Sequence, residues 1–307
     1  ISDNKGFPHK FGYSVALSGN YLSISSPFYN DGLVYVYSLN NSNSKNNSKP
    51  IHSIDVRNLG DVEGCYAEGP DKFGFGISTS FNNSKLLIGS LKDYVHLIEF
   101  NGGISSSSVI PNPIDHDHNE HDNSDDSNTT SDYHKFGESV YVGDNNLYVA
   151  ALNYDNGKGK VFVYPFVQSS NKLNDNSWTN PYELQPNNIS DNSHFGYKFS
   201  ESGNEILIST FNQKTIYNYS LKNSDSFEYN GEIFSDSSDN YFGRSVLVTD
   251  DFLLAGDYYA NQFHVYSNND SNRTLSNSFS TASEIVSIKN KIECVNGFAG
   301  QFECNEI

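Results

Sequence analysis

The chain has no methionine, one tryptophan and only three cysteines in 307 residues. Positive charge is scarce: 19 Lys and Arg stand against 37 Asp and Glu, a formal net charge of −18. That balance argues against nucleic acid as a partner, because phosphate binding works by Lys and Arg releasing counterions. It also disfavours an anionic membrane surface. No stretch approaches the roughly 20 apolar residues that span a bilayer, so no direct membrane insertion is expected. A phosphate loop, a Gly-x-Ser-x-Gly turn and a His-Glu-x-x-His pair are all missing. No catalytic residues and no cofactor are therefore expected, and a non-enzyme is the favoured reading. The chain begins at Ile1 with no visible signal peptide, and is expected to be a processed piece of a longer product.

Aromatic residues are abundant, 21 Tyr and 21 Phe, although only 36% of residues are hydrophobic and mean hydropathy is −0.57. The apolar material is gathered into short alternating runs separated by Asn, Ser, Asp and Gly, the pattern of strands and turns. Residues 11–39 set the template: three short runs joined by Ser18-Gly19-Asn20 and by a turn from Pro27 to Gly32. The opening Phe-Gly and its strand recur at Phe11, Phe73, Phe136, Phe195 and Phe242. Each copy continues into a second and a third run, such as Asn146 to Ala151 and Lys160 to Phe166. Fourth runs follow at Ile51 to Val56, Trp178 to Leu184 and Phe227 to Phe234, with a fainter one at Ser105 to Ile110. Glu284 to Glu306 repeats the strand order without Phe-Gly and counts as a sixth copy.

Four-stranded units of roughly 40–50 residues in series signal a β-propeller, in which each marginal meander packs on its neighbours. The expected fold is all-β: one propeller domain over residues 1–307, of four-stranded antiparallel blades starting near residues 11, 73, 136, 195, 242 and 283. Six blades are read, with a low-complexity insertion at 112–132. The alternative is seven blades, one completed by another segment or chain; a two-sheet sandwich leaves the Phe-Gly recurrence unexplained.

The unit of Phe-Gly, Ser-Val strand, Gly or Asn turn, Leu/Ile-rich strand, polar loop and Val-Tyr-Val-Tyr strand resembles the FG-GAP repeat of integrin alpha-chain propellers. The resemblance runs from Phe11 to about Ser267 and implies ligand binding on the face of the strand 2–3 loops and blade-to-blade connections. Several integrin-type blades carry an acidic calcium loop between strands 1 and 2, because calcium requires several oxygen ligands. Here those turns are short, as in Ser18-Gly19-Asn20, so the subtype without calcium is expected and no metal is implied.

On the face that the resemblance singles out, the strand 2–3 loops carry Phe28, Tyr29, Asp31, Asp93, Tyr94, Tyr154, Asp155, Phe211, Asp257, Tyr258 and Tyr259. Aromatics beside carboxylates on loops held by a scaffold suit recognition of a protein or a glycan. The opposite face carries Asn/Ser-rich loops with sequons at Asn40, Asn46, Asn82, Asn269 and Asn272; further sequons begin at Asn128, Asn188 and Asn218. The cluster Asp115, His116, Asp117, His118 and His121 holds metal-ligand types, yet it lacks an apolar anchor and reads as a solvated insertion. Cys294 and Cys304 are expected to form a disulfide in an oxidising compartment, leaving Cys65 over. The reading is an extracellular or cell-surface module that binds a protein or glycan ligand. The alternatives are a self-assembling building block of a surface fibre, sheath or coat, and a propeller hydrolase.

Overall fold

A computed structural model describes residues 10–27, 32–39, 49–55, 76–80, 84–90, 94–100, 103–114, 134–165, 181–223, 226–235, 241–258, 260–267 and 275–279. Within them the runs of β-branched and aromatic residues form five antiparallel four-stranded meanders, each a blade. The first holds β1 (Val15–Ser18), β2 (Tyr21–Ser26), β3 (Leu33–Ser38) and β4 (His52–Asp55). The second holds β5 (Gly76–Ser80), β6 (Lys85–Gly89), β7 (Tyr94–Phe100) and β8 (Ile104–Pro111). The third is β9 (Phe136–Val142), β10 (Asn146–Ala151), β11 (Lys160–Pro165) and β12 (Tyr182–Leu184); the fourth is β13 (Phe199–Ser202), β14 (Glu205–Ser209), β15 (Thr215–Asn223) and β16 (Ser226–Phe234). The fifth is β17 (Phe242–Val248), β18 (Phe252–Asp257), β19 (Gln262–Ser267) and β20 (Leu275–Phe279).

Among the described residues the fold is thus an all-β propeller with five blades, which corrects the expected six and the alternative seven. Each sheet follows one of the five Phe-Gly pairs. The supposed sixth copy, Glu284 to Glu306, has no Phe-Gly and rested on strand order and turn residues alone; it lies outside the described residues. The fifth blade also has a fourth strand, Leu275–Phe279, where the sequence shows no fourth run.

The blades are joined by hydrophobic seams, each between consecutive sheets. Val34, Val36 and Ile54 of the first blade meet Leu86, Ile88 and Ile98 of the second. Leu87, Val95, Leu97 and Ile110 meet Phe136, Val140, Val149 and Phe162. The third and fourth blades share Tyr148, Val161, Phe195, Ile206 and Tyr217, and the fourth and fifth share Leu207, Ile216, Phe242, Leu253 and Tyr266. Phe136, Phe195 and Phe242 therefore each belong to the seam with the preceding blade.

A β-bulge follows each of these phenylalanines. In the fifth blade the pairing jumps from Phe242↔Asp257 to Ser245↔Gly256, leaving Gly243 and Arg244 without partners on β18. In the third it jumps from Phe136↔Ala151 to Ser139↔Ala150, leaving Gly137 and Glu138. The fourth shows the same device, with the N–H groups of Gly196 and Tyr197 both donating to the Ser209 carbonyl. A bulge of this kind re-aims the extra residues away from the ladder. Gly137 sits at φ 90, and a Cβ there would lie 2.8 Å from Val95 Cγ2 and 3.1 Å from the Tyr94 carbonyl oxygen of the preceding blade. Glycine is required both by the backbone angle and by this approach.

The first blade carries the same corner without the same burial. Gly12 adopts φ 87, yet a Cβ on it would meet nothing within 4 Å. Phe11 is 57% exposed, its ring 5.6 Å from Tyr35 of its own blade, whereas Phe136, Phe195 and Phe242 are fully buried. Val15 and Leu17 are exposed beside it. Phe136→Ala should therefore cost about 3–5 kcal/mol in urea unfolding, the range for emptying a buried Phe site. Phe11→Ala should cost no more than about 0.5 kcal/mol, as for an exposed position. Equal costs at the two positions would contradict this account of the seams.

Candidate functional site

Four of the residues that follow Phe-Gly come near one another: Tyr13, Glu138, Tyr197 and Arg244. The Tyr13 phenol is raised above its ordinary value by burial first, then by the charge of Glu138 and by Tyr197. Tyr13 belongs to the first blade, Glu138 to the third and Tyr197 to the fourth. No ladder joins the first blade to either of the others, so this nearness lies between separate blades, toward the centre where a propeller has its channel. Lys198, next to Tyr197, has its amine lowered by burial, an effect that Glu138 partly offsets. Glu138 is ion-paired with Lys135 at 3.2 Å, and the Ser139 hydroxyl donates to the Tyr197 carbonyl at 2.9 Å.

At the mouth of this channel Arg244 is packed among aromatic rings. Its Cζ lies 3.4 Å from the centroid of Phe211, 4.6 Å from Tyr241 and 5.4 Å from Tyr197. Phe211 and Tyr197 stand edge to face at 4.8 Å, and Tyr241 neighbours Tyr258 at 6.4 Å. A cation over ring faces is held by their quadrupoles, and a guanidinium stacks as well as attracts. Arg244 Nε is buried without a hydrogen-bond partner. Among the described residues no carboxylate forms an ion pair with this guanidinium.

The rim that holds these rings is stitched backbone to backbone. The Phe211 N–H donates to the Ser193 carbonyl at 2.9 Å, and the Asn212 side-chain amide donates to the Asn192 carbonyl at 2.9 Å. The His194 N–H donates to the Gly157 carbonyl at 2.7 Å, while its Nδ1 lies 2.9 Å from the Leu152 carbonyl oxygen. The connection between the third and fourth blades is thereby tied to the β10–β11 turn on one side and the β14–β15 turn on the other. Asp155, Asn156, Asn192 and His194 all take positive φ, a conformation that persists only where the surroundings fix it.

Of the loop residues singled out from the sequence, Phe211 faces Arg244 and Tyr258 is 72% exposed at the same mouth. Tyr154 lies under Lys160, whose Nζ is 4.0 Å from the ring centroid, and Asp155 pairs with Lys158 at 2.8 Å. Tyr94 is buried against His96 at 5.2 Å. Asp257 is buried too, its Oδ1 accepting the Ala260 N–H at 3.4 Å. Phe28, Tyr29, Asp31, Asp93 and Tyr259 lie outside the described residues. So do Asp115, His116, Asp117, His118, His121, Cys65, Cys294, Cys304, and the sequons at Asn40, Asn46, Asn82, Asn128, Asn269 and Asn272. Asn188 is exposed, and Asn218 is buried within β15. Among the described residues no group of three or more His, Cys, Asp and Glu could hold a metal ion, and no helix is long and apolar enough to cross a membrane. Sequence reasoning missed Arg244, Tyr197, Glu138 and Tyr13. Their signal was the position after Phe-Gly, which changes from copy to copy while its neighbours repeat.

A second polar cluster sits at the strand 1–2 turns of the opposite face. The Tyr141 hydroxyl accepts the Glu201 N–H at 3.3 Å, and the Glu201 carboxyl packs directly on Gly143, where a Cβ would collide with it. Burial pushes that carboxyl from 4.5 up to about 8, and the Asp144 charge adds to the rise, against a backbone hydrogen bond at Asp144 that lowers it. Tyr141 is pushed up to about 12 by burial and by Glu201.

No family model matches the chain, and no curated protein matches it. Solved structures similar to it include the WD40 beta propeller domain of Doa1, 12% identical with a TM-score of 0.49 over 90% of this chain and 70% of that one. Another is the nidogen/laminin complex, 11% identical with a TM-score of 0.50 over 88% of this chain and 81% of that one. At such identities the likeness is one of fold.

The Glu201 shift has a checkable consequence. Between 4.5 and about 8 the folded chain keeps a proton that the unfolded chain has released. Stability therefore falls as pH rises through that window. Glu201→Gln should leave thermal stability nearly unchanged at about pH 5 and raise it at about pH 8.5, flattening the profile. A parallel loss at both pH values would contradict the protonated, desolvated carboxyl.

Proposed function

We propose that this chain is an extracellular or cell-surface binding module, not an enzyme, that recognises a glycan or a protein through the channel mouth and the strand 2–3 loops around it. The observation that carries the reading is the group of Phe211, Tyr197 and Tyr241 around Arg244, with Tyr258 standing exposed beside them. Exposed aromatics on a stiff frame contribute contact area at little entropic cost, the usual make-up of a recognition surface. The backbone stitching of Ser193, His194, Phe211 and Asn212 supplies that frame. Kinship with FG-GAP repeats is part of the proposal, supported by the repeated Phe-Gly corner. Secretion is a further part, and the exposed sequon at Asn188 suits it.

A second reading, a self-assembling building block, draws on the exposed apolar edge of the first blade formed by Phe11, Val15 and Leu17. Concentration-dependent sedimentation separates the two: growth beyond the monomer on concentration favours assembly.

Screening the chain against immobilised glycans and proteins tests the first reading. Tyr258→Ala should weaken the strongest hit about tenfold or more, as truncation of an interface anchor does. Tyr229→Ala, on the outermost strand of the fourth blade, should leave binding unchanged. Loss at Tyr229 with indifference at Tyr258 would move the site off this face.

A further inference from the structure

We propose that the channel mouth binds a single carboxylate on a terminal acidic sugar, a uronic acid at the end of a glycan, with Arg244 as the group that grips it. This rests on the glycan side of the binding-module reading and narrows it.

The first support is the state of the guanidinium. Arg244 is half-buried, and its Nε has no acceptor. The described residues offer it neither hydrogen bond nor ion pair, although the chain has 37 acidic residues for 19 basic ones. A partly desolvated cation without a counter-charge is unfavourable unless something compensates. Ring faces at 3.4 and 4.6 Å compensate in part. They face the cation with π-systems and supply no acceptor in the plane of its N–H groups, where a guanidinium pairs with a carboxylate in two parallel hydrogen bonds.

The second support is charge count. One guanidinium matches one singly charged, planar acid. A phosphate or sulfate dianion would call for a second cation, yet Lys135 is committed to Glu138 at 3.2 Å. Lys198, beside Tyr197, has its charge disfavoured by burial, and the Lys10 amine lies over the Tyr13 ring at 5.6 Å. The Glu138 carboxylate in the same channel further penalises a dianion. The net charge of −18 repels a chain of repeated acids at long range. One acid at a glycan terminus meets both limits.

The third support is what surrounds the cation. Tyr258 is 72% exposed and neighbours Tyr241, which presents a ring face for the C–H surface of a pyranose next to its carboxylate. A flexible acidic peptide would find the same cation but would leave this platform less well covered.

Calorimetric or NMR titration of the whole chain at low salt decides the matter, with glucuronic acid, glucose and a short peptide ending in a free carboxylate as probes. Glucuronic acid should bind at least about tenfold more tightly than glucose or the peptide, the step that a charge-assisted bidentate pair contributes. Arg244→Gln should abolish that preference. Arg244→Lys, which keeps the charge and loses the planar fork, should retain a part of it, with thermal melts confirming that both variants fold. If glucose binds as well as glucuronic acid and Arg244→Gln changes neither, the binding module stands and the carboxylate site falls. If the peptide alone binds, the ligand class is overturned. If no probe binds the parent chain and the glycan screen is also empty, both readings fall together.

Discussion

Everything in this propeller depends on the corner made by Phe-Gly and the residue after it. Phe136, Phe195 and Phe242 seal the seams with their preceding blades. The Gly takes a positive φ and lets its backbone press against the preceding blade, as Gly137 does against Tyr94 and Val95. In the third and fifth blades the Gly and the residue after it form a two-residue bulge, so the side chain of that second residue leaves the ladder. One local device thus builds the interface and lines the channel. Stability and site chemistry are separable within it: in the third, fourth and fifth blades the first two residues are fixed by packing, while the third is Glu138, Tyr197 or Arg244.

The two ends of the channel differ in kind. At the mouth, the connections are cross-linked by backbone hydrogen bonds around Ser193 and His194 and accept several residues at positive φ. The aromatics are presented by a stiff frame, which limits the ordering cost of binding. At the strand 1–2 turns of the opposite face, Glu201 is desolvated on Gly143, and burial pushes its carboxyl up to about 8. An acidic chain has reason to hold such a carboxyl neutral, since another buried negative charge beside Asp144 would be unfavourable.

Much of this was legible in the sequence, because Phe-Gly reports a backbone requirement and not merely a preference. Counting its copies yields five blades; adding a sixth on strand order alone overcounted, since turn residues and short apolar runs are common in any Asn/Ser-rich chain. The strand Leu275–Phe279 was hidden for the converse reason, its alternation of Leu275 and Phe279 with Asn and Ser reading as a solvated loop. Loop order located the face that carries Phe211 and Tyr258. It could not say which side chains turn inward: Asp257 caps its own turn and Tyr94 packs on His96. Arg244 went unnoticed because a charge inside a conspicuous structural motif looks like surface, and only the bulge shows where it points.

The central claim is that four residues after Phe-Gly, Tyr13, Glu138, Tyr197 and Arg244, converge on one axis. Intramolecular cross-linking measures this most directly. In a chain with Cys65, Cys294 and Cys304 replaced by Ser, cysteines are placed by Tyr13→Cys and Tyr197→Cys and treated with a short dithiol-bridging reagent. The account predicts an intramolecular bridge between these two, and little or none when the second cysteine is placed by Tyr229→Cys on the outermost strand. Equal bridging from both sites, or none from Tyr13 and Tyr197, would contradict a shared channel.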